Sequence, residues 1–456
     1  MFIADPTLDL ITLAQTGKPA RRVYIETYGC QMNVADSEMM AGILGTSGWD
    51  IAASPDEADV ILVNTCAVRE KAEERVLGRV RTLNGIKNHR PNVLIGVTGC
   101  MAEHLRETLA ERAPYVDLII GPDAYRRLPE LVVQAEALNH DPVIDIRLDR
   151  AEIYEGVNPV RKEGVTGFVT IQRGCDKFCT FCIVPFTRGR ERGVPPREVL
   201  RQVRQLADDG FSEVTLLGQT VNSWVYEDVD FADLVRAVAQ VDGIERIRFT
   251  SPYPIDFTPK LIEVIATEPK VCNYIHLPVQ SGSDPVLERM KRGYTLDQYL
   301  KLVRDIRAAV PNIAISTDII VGFPGESDED FQLTVDLLEQ LRFDFAFLFK
   351  YSERSGTLAH KRIPDDVPEE VKGDRLKEII LVQERICGEV IQKYVGQTLP
   401  VLIEGDSKRS DAQWSGRTDT FVSTILPKDG VAARPGQIVQ ARIERTTSHT
   451  LFGQIV

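Results

Sequence analysis

The sequence predicts an α/β protein in three parts: an N-terminal domain with a parallel sheet, a central partial (βα)6 barrel and a small C-terminal β-barrel. Two blocks in which short apolar segments alternate with amphipathic helical patterns predict the first two parts, because βαβ alternation produces parallel sheets. A later change to β-rich, glycine-punctuated sequence predicts the third part. The length of 456 residues agrees with several domains rather than one core.

The first block contains four apolar segments that we interpret as buried parallel strands, and helical patterns lie between them. These segments are VYIETYG (23–29), DVILVNT (59–65), NVLIGVTG (92–99) and VDLIIG (116–121). We assign residues 21–145 to this N-terminal α/β domain, preceded by a tail at 1–20. Residues 146–165 lose the periodicity and are predicted to be a linker.

The second block contains six candidate strands: FVTIQRG, EVTLLGQT, RIRFTS, YIHLPVQ, AISTDIIVGFPG and FAFLFKYS. About six βα units predict an open barrel over 166–392, with its chemistry at the carboxyl ends of the strands. A long helix near 367–394 ends this block. The remaining residues, 393–456, predict a small β-barrel of the kind that often binds RNA.

Composition and charge narrow the classes of protein that this chain can belong to. The net charge of −13 argues against a general nucleic-acid coat, which needs cations. No apolar run is long enough to cross a bilayer, and the beginning MFIADPTLDLITLAQTG has no basic leader. We expect a cytoplasmic monomer without a membrane partner.

One local exception to the acidic charge surrounds a cysteine motif. Residues 161–192 hold seven Lys or Arg residues, including Arg188, Arg190 and Arg192, against three acidic residues. From charge alone, a solvated surface is the simpler interpretation of this segment.

Three of the eight cysteines are closely spaced, at Cys175, Cys179 and Cys182. The motif follows a predicted strand, so its thiolates meet at one mouth of the barrel. Thiolates bind iron–sulfur clusters or zinc, and a structural zinc site needs a fourth protein ligand. No Cys or His follows within several residues, which favours a 4Fe–4S cluster with one open iron. A zinc site stays as an alternative.

Three further cysteines, Cys30, Cys66 and Cys100, each follow the carboxyl end of a predicted parallel strand. Those ends share one edge of an open sheet, where ligands bind. We therefore predict a second cluster with three protein ligands, against the alternative of three unrelated buried thiols. Cys272 and Cys387 have no companions and are interpreted as ordinary buried thiols.

The segment GCDKFCTFC (174–182) resembles the cluster motif of radical S-adenosylmethionine (SAM) enzymes. The resemblance implies that SAM binds the open iron and yields a 5′-deoxyadenosyl radical. It also implies that Phe181 packs near the adenine of SAM. The segments LLGQT (216–220) and DIIVGFPGE (318–326) resemble SAM-contacting strand ends, which implies cofactor contacts at Gly218, Gln219, Asp318 and Gly322.

Nearly the whole chain resembles the methylthiotransferase family. The similar segments include YGCQMN (28–33), NTCAVREKAEERV (64–76), GCMAE (99–103) and HLPVQSGSDPVLERMKRGYT (276–295). The last block is similar to the family's RNA-binding TRAM barrel. Within the family, the residues after Cys30 and Cys66 are most similar to the enzymes that modify N6-isopentenyladenosine in tRNA.

The resemblance implies two 4Fe–4S clusters, one for radical formation and one auxiliary, and two uses of SAM. One SAM would supply the methyl group and one the radical, to place a 2-methylthio group at C2 of the adenosine at position 37. The implied partners are the tRNA anticodon loop, an electron donor such as flavodoxin or ferredoxin, and a sulfur donor. In this context Arg188, Arg190 and Arg192 are expected to contact phosphate of the substrate or the carboxylate of SAM.

Three alternatives stay open at this point. The same chemistry could act on threonylcarbamoyladenosine in tRNA or on a ribosomal protein. A non-catalytic iron–sulfur carrier or redox sensor would instead be expected to use four cysteines for each cluster. An RNA-binding module with structural zinc is the third alternative.

Overall fold

The computed structural model describes residues 21–67, 70–138, 141–161, 164–428 and 432–456. The predicted tail at 1–20 lies outside the described residues. The chain forms two compact units, of which the N-terminal unit is built from described residues up to 161 together with Ile183–Arg192. The C-terminal unit contains the described residues of 163–182 and 193–456. The five-part division made from the sequence remains a prediction.

The N-terminal unit contains a six-stranded parallel sheet in the order β2-β1-β3-β4-β5-β6. Its strands are β1 (Arg22–Tyr28), β2 (Asp50–Ile51), β3 (Val60–Thr65), β4 (Leu94–Gly99), β5 (Leu118–Ile120) and β6 (Val143–Asp145). The four strands predicted from buried apolar runs are confirmed. The short edge strands β2 and β6 were not predicted.

Helices cover both faces of this sheet, so alternate residues of each strand enter different cores. Val60 and Leu62 of β3 pack into one core, and Ile61 and Val63 pack into the other. All four side chains are fully buried, which explains why β3 reads as a continuous apolar run. The helices of this unit are α1 (Gln31–Thr46), α2 (Glu70–Asn84), α3 (Cys100–Leu105), α4 (Glu107–Arg112), α5 (Leu128–Ala137) and α6 (Val184–Thr187).

The C-terminal unit begins with parallel strands in the orders β7-β10-β13 and β14-β15-β16. A parallel bridge between Ile247 and Val271 continues the ladder from the first group towards the second. This arrangement confirms the partial (βα)6 barrel. Its principal strands are β7 (Thr166–Thr170), β10 (Glu213–Leu217), β13 (Arg246–Phe249), β14 (Tyr274–His276), β15 (Ala314–Val321) and β16 (Phe345–Lys350).

Short strands and eight helices fill the connections among the described residues of this barrel. The short strands are β8 (Gln172–Arg173), β9 (Arg192–Gly193), β11 (Val225–Tyr226) and β12 (Val229–Asp230). The helices are α7 (Pro196–Asp208), α8 (Phe231–Ala239), α9 (Pro259–Thr267), α10 (Asp284–Arg289), α11 (Leu296–Ala309), α12 (Asp328–Leu341), α13 (Leu358–Arg362) and α14 (Glu369–Val390). Helix α14 corresponds to the long helix predicted near 367–394. No helix in the described ranges has the length and apolar character needed to cross a membrane.

A closed five-stranded barrel in the order β17-β18-β19-β21-β20 follows α14 and confirms the third predicted part. Val401, Ile403, Leu426 and Ala441 fill its core. Most of β18 was not predicted, because polar residues occupy the first half of that strand. The strands are β17 (Thr398–Ser407), β18 (Ser410–Thr418), β19 (Ser423–Pro427), β20 (Ile438–Thr446) and β21 (Thr450–Ile455).

Two buried arginines of β13 connect this small barrel to the parallel strands of the same unit. Arg248 pairs with Glu213 at 2.9 Å and donates hydrogen bonds of 2.8 Å to the carbonyl oxygens of Thr418 and Asp419. Arg246 donates to two further main-chain carbonyls of the barrel. Because both side chains are nearly inaccessible to solvent, losing one leaves polar partners unpaired in the interior.

We expect Arg248→Met to lower the stability of the C-terminal unit by about 3–5 kcal/mol, since it leaves Glu213 as an unpaired buried charge. The matched control is Arg236→Ala, whose partner Glu263 is exposed, and we expect a change below about 1 kcal/mol. Urea denaturation followed by circular dichroism checks both values. Equal effects of the two substitutions would contradict the anchoring role of Arg248.

Candidate functional site

The closely spaced trio Cys175, Cys179 and Cys182 lies in a tight loop that follows β8. Gly174 opens the loop with φ of +75°, and Phe178 has φ of +49°, which is uncommon for a residue with a side chain. The amide of Cys182 donates a 3.0 Å hydrogen bond to the carbonyl oxygen of Cys179. Cys175 and Cys179 are buried, and Cys182 is half-buried. This backbone turns three thiols of one short segment inwards.

Long-range hydrogen bonds through Thr180 hold the loop in this form. The amide and hydroxyl of Thr180 donate to the carbonyl oxygens of Met290 and Arg289 at 3.0 and 2.8 Å. The carbonyl oxygen of Thr180 accepts from the amide of Ala359 at 2.8 Å. Thiols that are fixed in this way need little reorganisation to bind a cluster.

A buried arginine, Arg292, also contacts this trio. Its Nη1 donates to the Cys179 Sγ at 3.4 Å, and its Nη2 donates to the carbonyl oxygen of Pro278 at 3.0 Å. The guanidinium carbon lies 4.7 Å from the centre of the Tyr253 ring. A guanidinium in this position donates to a sulfur that is expected to be a cluster ligand. Sequence reasoning did not assign Arg292 a role, although the residue lies in the segment HLPVQSGSDPVLERMKRGYT.

Two predicted SAM contacts, Phe181 and Gly322, are brought together in the structure. The ring of Phe181 packs edge-on against the ring of Phe323, with centroids 6.5 Å apart. Gly322 precedes Phe323 with φ of +69°, and a Cβ there would approach the side chain of Lys372 to 2.4 Å. The main chain at Gly322 therefore uses a conformation and a space that favour glycine.

The other predicted SAM contacts follow or lie on strands β10 and β15. Gly218 follows β10, and a Cβ there would come within 2.9 Å of the Gln172 Oε1. The neighbouring Gln219 has a buried Oε1 without a hydrogen-bond partner, which fits a donor group of a bound cofactor. Asp318 lies within β15, and its carboxylate is 3.4 Å from the Nε2 of His276. All five predicted SAM contacts, Phe181 included, stay predictions.

The widely spaced trio Cys30, Cys66 and Cys100 lies at the carboxyl edge of the parallel sheet. In the strand register, Tyr28 pairs with Thr65, and Thr65 pairs with Gly99. Each cysteine follows this row by one or two residues. The chain adds β2 on one side of β1 and β3 on the other side, so the strand order switches between β1 and β3. Open α/β sheets bind ligands at such switch points.

Small and amide residues make the close approach of these strand ends possible. A Cβ on Gly29 would lie 2.9 Å from the Cβ of Cys66, and Gly99 has φ of +91°. The buried side chains of Asn33 and Asn64 join the strand ends, since the Asn64 Nδ2 donates to the Asn33 carbonyl oxygen at 2.8 Å. The Asn33 Oδ1 accepts from the amide of Cys30 at 3.3 Å. The sequence analysis did not assign a role to either asparagine.

The electrostatic environment favours a thiolate at one member of this trio. A hydrogen bond with Cys66 and the nearby charge of Arg188 lower the pKa of Cys30 to about 6, against the opposing effect of burial. Burial raises the pKa of Cys100, and the charge of Arg188 opposes that rise. The three thiols and one guanidinium thus form a single electrostatic group.

Arg188 is buried at the centre of this group. Its Nη2 lies 2.7 Å from the Asp36 carboxylate, and its Nε donates to the Cys100 Sγ at 3.1 Å. The Nη1 of Arg188 has no hydrogen-bond partner, and neither has the buried hydroxyl of Tyr125. Tyr125 interacts electrostatically with both Cys100 and Arg188. Two buried donors that lack acceptors beside three thiols fit the sulfides of an iron–sulfur cluster.

The three arginines that were expected to contact substrate have different environments. Arg188 belongs to the group of thiols, as described above. Arg192 forms two hydrogen bonds with Asp123, at 2.9 and 3.1 Å, and its side chain is largely buried. Arg190 is exposed. Substrate contact by these arginines stays a prediction.

The described residues contain no group of three Cys, His, Asp or Glu side chains that is arranged to hold a single metal ion. This finding concerns a site for one ion and not a cluster of four irons. It is compatible with a cubane cluster, in which each thiolate binds a different iron. Both trios fit such a cluster by the chemistry of their sulfur ligands.

Three family models match successive parts of the chain. They are the Uncharacterized protein family UPF0004 over residues 22–121, the Radical SAM superfamily over 169–338 and the TRAM domain over 392–456. The fold and the two trios therefore define a radical SAM enzyme with an additional N-terminal sheet domain and a C-terminal TRAM barrel.

Close relatives cover almost the whole chain. A protein of Porphyromonas gingivalis, named tRNA-2-methylthio-N(6)-dimethylallyladenosine synthase, is 48% identical over 96% of each chain. A protein of Chloroherpeton thalassium with the same name is 47% identical over 95% of each chain. The chain belongs to the family of tRNA-2-methylthio-N(6)-dimethylallyladenosine synthases.

Solved structures with low sequence identity share the fold. The radical SAM methyltransferase TsrM from Kitasatospora setae matches with a TM-score of 0.52 and 13% identity, over 73% of this chain and 75% of that one. The cobalamin-dependent SAM radical enzyme OxsB matches with a TM-score of 0.51 and 14% identity, over 80% of this chain and 56% of that one.

We expect the triple variant Cys175→Ala/Cys179→Ala/Cys182→Ala to retain about half of the wild-type iron and sulfide, since the two trios share no ligand and independent sites lose metal independently. The variant Cys30→Ala/Cys66→Ala/Cys100→Ala should retain the other half. Anaerobic reconstitution followed by iron and sulfide assays measures both.

The double variant Cys272→Ala/Cys387→Ala is the matched control, because both thiols are buried outside the trios, and it should lose no iron. Loss of all iron from either triple variant, or of none, would contradict two separate clusters.

Proposed function

We propose that this protein places a methylthio group at C2 of N6-isopentenyladenosine at position 37 of tRNA. The observation that carries the proposal is the presence of two separate thiol trios in one chain, each offering three sulfur ligands. The relatives named above match 95–96% of this chain, which supports the same reaction and substrate. The C2–H bond of adenine offers no handle for acid–base chemistry, so the reaction needs a radical.

When bound, 4Fe–4S clusters with an open iron would supply the radical from SAM and the sulfur for the product. Cys175, Cys179 and Cys182 would hold the SAM-binding cluster, and Arg292 would stabilise the negative charge on Cys179. Cys30, Cys66 and Cys100 would hold the auxiliary cluster, with Arg188 as the neighbouring cation. One SAM would serve methyl transfer and another would serve radical formation.

The protein's own groups would orient SAM and exclude water around it. Phe181 and the main chain at Gly322 would form the wall beside the adenine of SAM, because the Phe181 ring packs against Phe323, which follows Gly322. The unpaired Oε1 of Gln219 would accept a hydrogen bond from SAM. The glycine at 218 would leave room for close approach of the cofactor. His276 would keep the Asp318 carboxylate in place.

The target adenosine must leave the base stack to reach the reacting groups, so an unpaired anticodon loop is the fitting substrate. The TRAM barrel and the exposed Arg190 would contribute contacts to the RNA backbone. We further propose that flavodoxin or ferredoxin supplies electrons, that a sulfur donor restores the auxiliary cluster, and that the enzyme acts as a cytoplasmic monomer.

The proposal is tested by incubating reduced, reconstituted protein with SAM and a tRNA anticodon stem–loop that carries N6-isopentenyladenosine. We expect 5′-deoxyadenosine and a nucleoside in which SCH3 replaces one hydrogen, both detected by mass spectrometry. The Cys30→Ala/Cys66→Ala/Cys100→Ala variant should form 5′-deoxyadenosine without the thiolated nucleoside. Product formation only on threonylcarbamoyladenosine RNA, or on a ribosomal protein, would contradict the assigned substrate.

The two arginines at 188 and 190 should have separable effects. We expect Arg188→Gln to reduce iron bound by the auxiliary trio, because it removes the cation beside Cys100 and leaves Asp36 unpaired. Arg190→Gln should retain all iron and lower the salt dependence of RNA binding by about one unit of the log–log slope. Iron assays and RNA binding at several salt concentrations test this pair. A wild-type iron content in the Arg188→Gln variant would contradict the assigned role of Arg188 beside the auxiliary cluster.

A further inference from the structure

An aromatic pocket of about 280 Å³ lies between the parallel strands and the TRAM barrel of the C-terminal unit. Its walls come from β14, β16, the end of α14 and the β18–β19 and β20–β21 connections. The volume is close to the lower limit for ligand sites and suits one small planar group. Six ring-bearing side chains line it: Tyr274, Phe345, Phe347, Tyr394, Phe421 and His449. We refer to these residues as the aromatic pocket.

Three of the phenylalanines are unusually exposed for such large apolar side chains. Phe345 is 37% exposed, Phe347 is 45% exposed and Phe421 is 38% exposed. Exposed apolar residues that gather in one concave place mark a binding site more often than chance scatter does. The protein's own side chains leave part of this apolar surface open.

The rings are arranged so that flat faces remain available. Phe345 meets Phe347 and His449 edge-on, with centroids 4.8 and 5.9 Å away and interplanar angles of 81° and 79°. Phe421 stacks on Tyr274 with centroids 4.8 Å apart. Perpendicular and stacked rings of this kind offer surfaces on which a further planar group can stack.

Cations and main-chain geometry reinforce this arrangement at the TRAM side. The guanidinium carbon of Arg417 lies 4.3 Å from the centre of the Phe421 ring, and that of Arg248 lies 4.9 Å away. Phe421 itself has φ of +69°, a conformation that costs an L residue free energy and persists only where its surroundings hold it. The Lys393 Nζ lies over the Tyr394 ring, 5.0 Å from its centroid, and pairs with the carboxylate of Asp344, which also lines the pocket. Arg248 is buried against Glu213, so the partly exposed Arg417 is the cation at these rings that fits a phosphate, while the aromatic faces fit a nucleobase.

The position of the pocket separates it from the radical chemistry. Tyr274 and Phe345 begin β14 and β16, whereas the closely spaced cysteines follow strands at the opposite, carboxyl end of the barrel. From Phe345 to Lys350, β16 extends over roughly 17 Å. A base held at Phe345 is therefore not the base from which a hydrogen atom is taken at the radical site.

We propose that the aromatic pocket binds one unpaired nucleobase of the tRNA anticodon loop, distinct from the adenosine that is modified. This inference rests on the proposed tRNA substrate. Because the rings of Phe345 and Phe347 are perpendicular, the bound base would stack on the face of one and meet the edge of the other. The partly exposed guanidinium of Arg417 would lie towards its phosphate. Binding a second base would fix the orientation of the loop while position 37 reaches the radical site.

The test uses the full-length reconstituted protein and anticodon stem–loop RNAs with 2-aminopurine at one loop position at a time. We expect the fluorescence of one position other than 37 to be quenched on binding, because 2-aminopurine loses emission when it stacks. In Phe345→Leu/Phe347→Leu this quenching should disappear and the Kd should rise by about tenfold or more, since base stacking is worth about 1–3 kcal/mol. The salt dependence of binding should stay unchanged, because no cation is removed.

Leu381→Ala is the matched control, because Leu381 is 68% exposed on α14 and lies outside the pocket. It should leave the quenching and the Kd at wild-type values. The Phe345→Leu/Phe347→Leu variant should keep its iron content and its circular dichroism spectrum, which shows that it is folded. If the folded Phe345→Leu/Phe347→Leu variant shows wild-type quenching and affinity, the proposed base-binding pocket is overturned. Quenching at position 37 alone would overturn it as well.

The same experiment distinguishes this inference from the proposed function. If wild-type protein quenches one loop base through Phe345 and Phe347 but forms no methylthio product, the pocket is supported and the proposed reaction fails. If the wild-type protein forms the product while the Phe345→Leu/Phe347→Leu variant binds RNA with wild-type affinity, the proposed reaction is supported and the proposed base-binding pocket is contradicted. The base-binding pocket would also be overturned if a fatty acid or an aromatic peptide bound at these rings while the Phe345→Leu/Phe347→Leu variant bound RNA with wild-type affinity.

Discussion

Parallel pairing of β1, β3 and β4 is the constraint on which the widely spaced trio depends. Its cysteines are more than thirty residues apart in sequence, and only the common direction of the three strands brings their ends to one edge. The approach is close enough that a Cβ at Gly29 would touch Cys66. A side chain there would push the strand ends, and with them the cysteines, apart.

The two trios reach a similar chemical arrangement by different routes. The closely spaced trio is a local motif that long-range hydrogen bonds hold in place, whereas the other trio is created by the sheet. Each nevertheless has one thiol within hydrogen-bond distance of a buried guanidinium, at 3.1 Å for Arg188 and Cys100 and 3.4 Å for Arg292 and Cys179. Such a cation would offset the negative charge of three thiolate ligands once a cluster is bound.

The parts of this site that depend on periodicity and short spacing could be predicted from the sequence. Short spacing indicated the closely spaced trio, buried strands each followed by a cysteine indicated the widely spaced trio, and the six βα units indicated the partial barrel. The partners of Arg188 could not be predicted, because Asp36 lies 152 residues away and a charge run does not reveal which carboxylate it meets. The aromatic pocket was equally hidden, since its rings come from β14, β16 and the TRAM barrel, far apart along the chain.

Mössbauer spectroscopy of the ⁵⁷Fe-reconstituted wild-type protein, before and after addition of SAM, tests the central claim most directly. Two clusters of three thiolates predict about eight irons per chain, all in 4Fe–4S environments. Binding of SAM to the open iron at Cys175, Cys179 and Cys182 should change the signal of about one iron in eight. About four irons per chain with no second cluster, or a spectrum that SAM leaves unchanged, would contradict the account.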